Sequence, residues 1–267
     1  MKVSVGYGLV AVLLVAQGCA ATCARTVDDA TGPGGDQASR AEAGDDQAHA
    51  LPIGDEAPGA PGSGERAAGD RPWAVADDGS VALVEPDLEG GLPLMKALSL
   101  RRSIRELSDA QLSLRHLSEL LWAGFGVNRA DGRRTAPSAR NRQEMDVYVA
   151  TAAGLFLYDA QEHRLQRVSE SDLRAATGTQ DFVGRAPVNL VYVADFSRME
   201  GSSDEERSDT ASADAGLIAE NVYLYCASEG LATVVRGSVD RESLGRAMGL
   251  SATQHIMLAQ TVGYPAE

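Results

Sequence analysis

The chain has 267 residues and a clear excess of acid, 38 Asp and Glu against 24 Lys and Arg, for a formal charge of -14. That balance excludes a nucleic-acid backbone as partner, since binding one requires a net basic face. Three cysteines and four scattered histidines exclude a disulfide framework and a Cys/His metal centre.

Lys2 precedes an apolar run, Leu9 to Ala16, that is too short to span a bilayer as a mature helix. Residues 1–24 therefore read as an export signal. Gly18-Cys19-Ala20 allows cleavage before an acylated Cys19, which makes a lipoprotein anchored in the periplasm or at the outer membrane. Cleavage after Ala24, giving a soluble secreted product, and a retained anchor are the alternatives. Residues 25–85 are rich in Gly, Ala, Pro and acid without an apolar period, so they read as a disordered tether. Within it Trp73 and Val75 are candidates to dock, and Val81 to Val84 reads as a short strand or extended arm. The folded domain is expected over 86–267.

Pro93 opens a first helix carrying Leu94, Met95, Leu98 and Leu100 toward Arg101. Ser113 is the expected N-cap of a second, with Leu114, Leu117, Leu120, Leu121 and Phe125 at helical spacing and Gly124 and Gly126 at its end. Met145 to Ala150 and Leu155 to Tyr158 form a predicted hairpin about Ala153-Gly154. Leu165 to Val168 is expected to add an edge, followed by a short helix near Ser171 to Ala176 capped by Ser169 or Ser171. Pro187 to Ala194 reads as a central strand, and the polar run Met199 to Asp209 as a loop. A long helix is predicted over Ala211 to Glu229, then a strand at Leu231 to Val235, a short helix at Asp240 to Met248 and a last strand at His255 to Val262. Loose alternation with an internal hairpin argues for the α+β class. Cys226 reads as a buried packing residue. Asp209, Asp214 and Glu220 read as helix-start charges and a solvated face.

Two stretches carry chemistry. Arg101-Arg102-Ser103-Ile104-Arg105 sets guanidiniums and a hydroxyl at a helix end, a donor set suited to phosphate. Pro137-Ser138-Ala139-Arg140-Asn141-Arg142-Gln143 is a turn with the paired donors and acceptors that a flavin ring edge or ribityl chain requires. With Leu121-Trp122-Ala123-Gly124, Arg134-Thr135-Ala136, Asn221 in its helix and the closing Val262-Gly263-Tyr264-Pro265, the sequence from Leu92 to Pro265 resembles the nitroreductase family, and within it the SagB-type dehydrogenases.

The resemblance implies an α+β nitroreductase-like fold: a central, mainly antiparallel sheet flanked by helices, assembled as an intertwined homodimer with FMN at the interface. It implies hydride transfer through flavin N5 between a reduced donor, NAD(P)H among them, and a small nitro- or quinone-like acceptor, or else SagB-type dehydrogenation. Nicotinamide donors are scarce outside the cytoplasm, which sits uneasily with export. The resemblance puts Arg101, Arg102, Ser103 and Arg105 at the phosphate and ring edge. It puts Ser138, Asn141 and Gln143 at the ribityl chain and pyrimidine, and the Gly237 backbone at N5. Relatives place a basic residue just after the Gly-Tyr-Pro ending, where this chain has Ala266; Arg236 or Arg246 would have to substitute. No catalytic side chain stands out. The alternative is a non-catalytic lipoprotein of the same fold, serving as a binding or scaffold module.

Overall fold

A computed structural model of the chain describes residues 72–266. The expected signal, Cys19 and the tether up to residue 71 lie outside the described residues. Seven strands form one antiparallel sheet: β1 (Ser80–Ala82), β2 (Met145–Thr151), β3 (Gly154–Asp159), β4 (Arg164–Ser169), β5 (Val188–Asp195), β6 (Ala232–Arg236) and β7 (Gln254–Gly263). Their order is β1-β4-β3-β2-β5-β7-β6. The helices are α1 (Leu94–Leu100), α2 (Leu114–Phe125), α3 (Asp204–Glu229) and α4 (Arg241–Met248).

Period-two alternation sorts the sheet's side chains between two cores. Val147 and Val149 of β2 with Leu190 and Tyr192 of β5 face one way, and Leu117, Leu120, Leu121 and Phe125 of α2 and Ile218 and Val222 of α3 cover them. Tyr148, Ala150, Val191 and Val193 face the other way, against Leu244 and Met248 of α4. Buried on both faces, β5 is apolar almost throughout, which is why its run reads as central. The β2–β3 hairpin turns where expected. Gly154 has φ 128°, and a Cβ there would collide with the Ser169 carbonyl, so only glycine fits.

Trp73 docks as expected, buried against Phe156 at a 6.1 Å centroid distance, and the short strand expected near Val81 forms as β1, so order begins before residue 86. Three expectations are corrected. β1 pairs with β4. That pairing makes β1, not β4, the edge. The run from Met199 was expected to be a loop through Asp209, but α3 begins at Asp204 with a reciprocal capping box between Ser203 and Glu206. Asp204, Glu205 and Glu206 complement the positive end of the helix, so charge rather than an apolar stripe starts it. The helix expected at Ser171 to Ala176 is a single 3-10 turn, Arg174–Thr177, without a side-chain cap.

Candidate functional site

As the last strand of the sheet, β6 leaves one backbone edge without a neighbouring strand. The arginine-rich stretch covers it. α1 ends at Arg101, whose φ/ψ of -56°/123° turns the chain out of the helix. The Ile104 N–H then donates to the Thr233 carbonyl at 2.9 Å. Two residues further along β6, the Val235 N–H donates to the Tyr223 hydroxyl at 2.9 Å, and that hydroxyl shares a 2.8 Å bond with Ser103 Oγ. The Arg101 guanidinium lies 5.1 Å above the Tyr223 ring. Arg102 and Arg105 are exposed. Among the described residues, none of these three arginines is ion-paired.

The C-terminal segment runs beside the same stretch. Ser108 N–H donates to the Tyr264 carbonyl at 2.9 Å and Ala266 N–H to the Glu106 carbonyl at 3.0 Å. The position after Pro265 thus lies next to the arginines, and a neutral Ala266 fills it. Both candidate substitutes have partners elsewhere. Arg246 is ion-paired with Glu242 on the exposed face of α4. Arg236 turns inward, donating to the Thr177 carbonyl at 2.7 Å and to Asn189 Oδ1 at 2.9 Å, with burial bringing its guanidinium down to about 10. Gly237 follows it at the end of β6, and a Cβ added there would meet nothing within 4 Å.

The second stretch is a strained turn. Arg140, Asn141 and Gln143 have φ of 57°, 53° and 48°, a left-handed conformation that non-glycine residues adopt only when their surroundings impose it. Ser138 Oγ accepts the Gln143 N–H at 3.0 Å. The Gln143 side chain works inside the turn: Oε1 accepts from Arg134 Nε at 3.2 Å, and Nε2 donates to the Gly132 carbonyl and to Asn141 Oδ1. Arg142 donates to Ser202 Oγ and the Glu200 carbonyl. Asn141 and Arg140 remain exposed. The Ala139 N–H donates to Asp214 Oδ2 at 3.0 Å.

Within one chain the two stretches are not brought together. Ser103 meets α3 at Tyr223 and Ala139 meets it at Asp214, nine residues apart, which is about two and a half turns and so opposite faces of the helix. Tyr223 is core, whereas Asp214, which reads as a helix-start charge or part of a solvated face, is instead buried; both are 5% exposed, and their polar atoms anchor the two stretches. The two flank the buried stripe of α3 from either side, and a polar side chain at each border of that stripe was the signal available. No cluster of three or more metal-ligating side chains occurs among the described residues.

The nitroreductase family model matches residues 98–264. A protein of Methanocaldococcus jannaschii named as a nitroreductase is 31% identical over 163 residues, 57% of this chain and 82% of its own length. A crystal structure of a Ralstonia eutropha protein, likewise named as a nitroreductase, is 47% identical with a TM-score of 0.69, covering 74% of this chain and 95% of that one. A more distant structure from Anabaena variabilis, 17% identical, shares the fold with a TM-score of 0.61 over 70% of this chain and 42% of its own.

Proposed function

Because this chain belongs to the nitroreductase family, whose members are oxidoreductases acting on small molecules, we propose that it is an FMN-dependent enzyme that works as a homodimer. The observation that carries this reading is the covered edge of β6. Three guanidiniums without carboxylate partners among the described residues flank Ser103 in the chain, in a protein with a charge of -14. A dianionic phosphate suits that donor set. The open space at Gly237, further along the same edge, allows a planar ring to approach the backbone.

Bound FMN supplies two-electron transfer through its N5. In this reading Arg101, Arg102 and Arg105 hold the phosphate, and Ser103 is oriented by Tyr223. Gly237 offers its backbone without a side chain in the way. A positive charge near the ring favours the reduced, anionic form of the cofactor.

The Ser138 and Asn141 turn reaches the same flavin only from a second protomer, because the two stretches lie on opposite faces of α3. Exposed Leu94, Met95, Leu98 and Leu100 on α1 and Leu217 on α3 support such an interface, at 40–76% exposure. The resemblance to SagB-type dehydrogenases also allows the reverse direction, in which a substrate is dehydrogenated. The signal-like residues 1–24 support export with Cys19 as the lipid anchor.

The test is the visible absorption spectrum of the purified protein after FMN is added and the excess removed. Flavin bands near one equivalent per chain, lost on Arg101→Ala with Arg105→Ala, are the expected result. A wild-type protein that never retains FMN overturns the enzyme reading and leaves the scaffold alternative.

A further inference from the structure

We propose that Glu144 and Asp214 share a single proton and through it hold the 138–143 turn in its strained shape, so that the turn loosens as the proton leaves. Glu144 is the residue between the turn and β2, and its side chain is fully buried. Its own backbone is fixed, the carbonyl accepting the Asp195 N–H at 2.9 Å. Among the described residues neither carboxyl oxygen of Glu144 receives a hydrogen bond from a donor group. An ionised carboxylate in that position would be stripped of water with nothing in exchange.

The polar neighbour that Glu144 does have is the Asp214 carboxyl, itself only 5% exposed and placed midway along α3. Two carboxyl groups hydrogen-bond only when one of them carries a proton. Glu144, fully buried and with no donor among the described residues to stabilise its charge, is the partner that burial disposes to hold it. Burial first, and then the neighbouring Asp214, push its carboxyl up to about 7. Asp214 is left to accept on its other side, where Oδ2 takes the Ala139 N–H at 3.0 Å. The chain of bonds runs from Glu144 to Asp214 to the backbone of the turn.

The other charges nearby do not replace this arrangement. Arg142, in the turn itself, opposes the upward shift, but its guanidinium donates to Ser202 and the Glu200 carbonyl. Arg198, from the 3-10 turn Phe196–Arg198, donates to the Gln143 carbonyl and pairs with Asp146 of β2 and Asp195 of β5. Neither cation donates to Glu144. When the proton is lost, two buried like charges face each other, and the acceptor that fixes Ala139 is driven away from its partner.

The direction with pH follows. A carboxyl whose value in the folded turn lies above its ordinary 4.5 holds the turn fully below that value, and the hold weakens as pH rises through about 7. The pair is a positioning device: it touches no reacting atom and acts through the turn that presents Ser138 and Asn141. Its bearing on the cofactor rests on the reading above; its bearing on the turn does not.

Amide hydrogen exchange on the full chain, followed by NMR from pH 5 to pH 8 and corrected for the intrinsic pH dependence of exchange, tests this. Protection of the Ala139 amide should fall by more than about tenfold, as one unit of differential protonation requires. The Val191 amide in the centre of the sheet should keep its protection. In Glu144→Gln the side-chain amide still donates to Asp214, and the Ala139 profile should become flat. A flat wild-type profile, or an Ala139 profile that falls only in step with Val191, overturns the proposal; the wild-type titration decides even if the variant fails to fold. Retention of FMN with a flat Ala139 profile sinks this inference alone. A falling profile in a protein that binds no FMN sinks the cofactor reading and leaves the pair standing.

Discussion

The Tyr223 hydroxyl joins Ser103 to β6, bonding Ser103 Oγ at 2.8 Å while accepting the Val235 N–H at 2.9 Å. One phenol thus ties together α3, the arginine-rich stretch and the free edge of the sheet. Tyr223→Phe keeps the ring under Arg101 but leaves the Val235 N–H without its acceptor. A loss of about 1–2 kcal/mol in urea unfolding is expected. FMN binding, followed by quenching of flavin fluorescence, should weaken by about tenfold as Ser103 loses its orientation. Unchanged stability and unchanged affinity would show that the phenol is a passive part of the packing.

Arg236 should be a stability residue. Its guanidinium is 5% exposed, holds the Thr177 carbonyl and Asn189, and has no carboxylate counter-ion among the described residues. Arg236→Met leaves Asn189 Oδ1 with only the Thr261 hydroxyl and removes a charge-assisted bond to Thr177. The expected cost is about 3 kcal/mol. FMN affinity per folded molecule should be unaffected, which titration of the folded fraction checks. A cofactor loss larger than the stability loss would put Arg236 at the flavin after all.

His163 sets a lower pH limit. The Val84 carbonyl can only accept, so Nε2 carries the hydrogen and Nδ1 accepts from the Tyr158 hydroxyl, at 2.9 Å each. Burial holds the imidazole below its ordinary 6.5. The unfolded chain therefore takes up the proton first. The His163 contribution should be level above pH 6.5 and fall below it by up to about 1.4 kcal/mol per unit. Glu144, whose carboxyl is raised by burial, contributes a slope of the opposite sign over part of that range, so the difference in urea-unfolding stability between wild type and His163→Gln, from pH 7.5 down to pH 5, isolates the His163 limb. A difference that does not change with pH contradicts it.

Cys19 should decide where the protein sits. If it is the acylated residue, Cys19→Ser abolishes incorporation of labelled palmitate and moves the protein from the membrane fraction to the soluble one. Labelling that survives the substitution would refute the lipoprotein reading.

Much of the fold was legible because its signals are local. The Ser113 cap, the leucine spacing of α2 and the doubly buried run of β5 each follow from a few neighbouring residues. The start of α3 carries no apolar stripe to read; Ser203 and three acids open it by capping and charge. The site was legible as residue types but not as geometry. Arg101 and Ser103 are readable as a donor set. That Tyr223 positions Ser103 depends on a contact 120 residues away in sequence. Arg236 reads as a spare positive charge, and its inward turn follows from Asn189, 47 residues earlier, and from the 3-10 turn that ends at Thr177. Glu144 looks like an ordinary strand-start acid until Asp214 is brought beside it.

The stretch that carries the arginines also closes the free edge of β6, and it does so through the backbone of Ile104 and the phenol of Tyr223 rather than through any guanidinium. Two different pressures therefore act on neighbouring residues. A descendant that abandoned its redox role could let Arg101, Arg102 and Arg105 drift without harm to folding. It could not shorten the stretch without exposing a strand that would then pair with other copies. In such a lineage the length of the segment and its seat on β6 would outlast the charges, so the arginines, not the shape around them, are the part of this motif that reports on use.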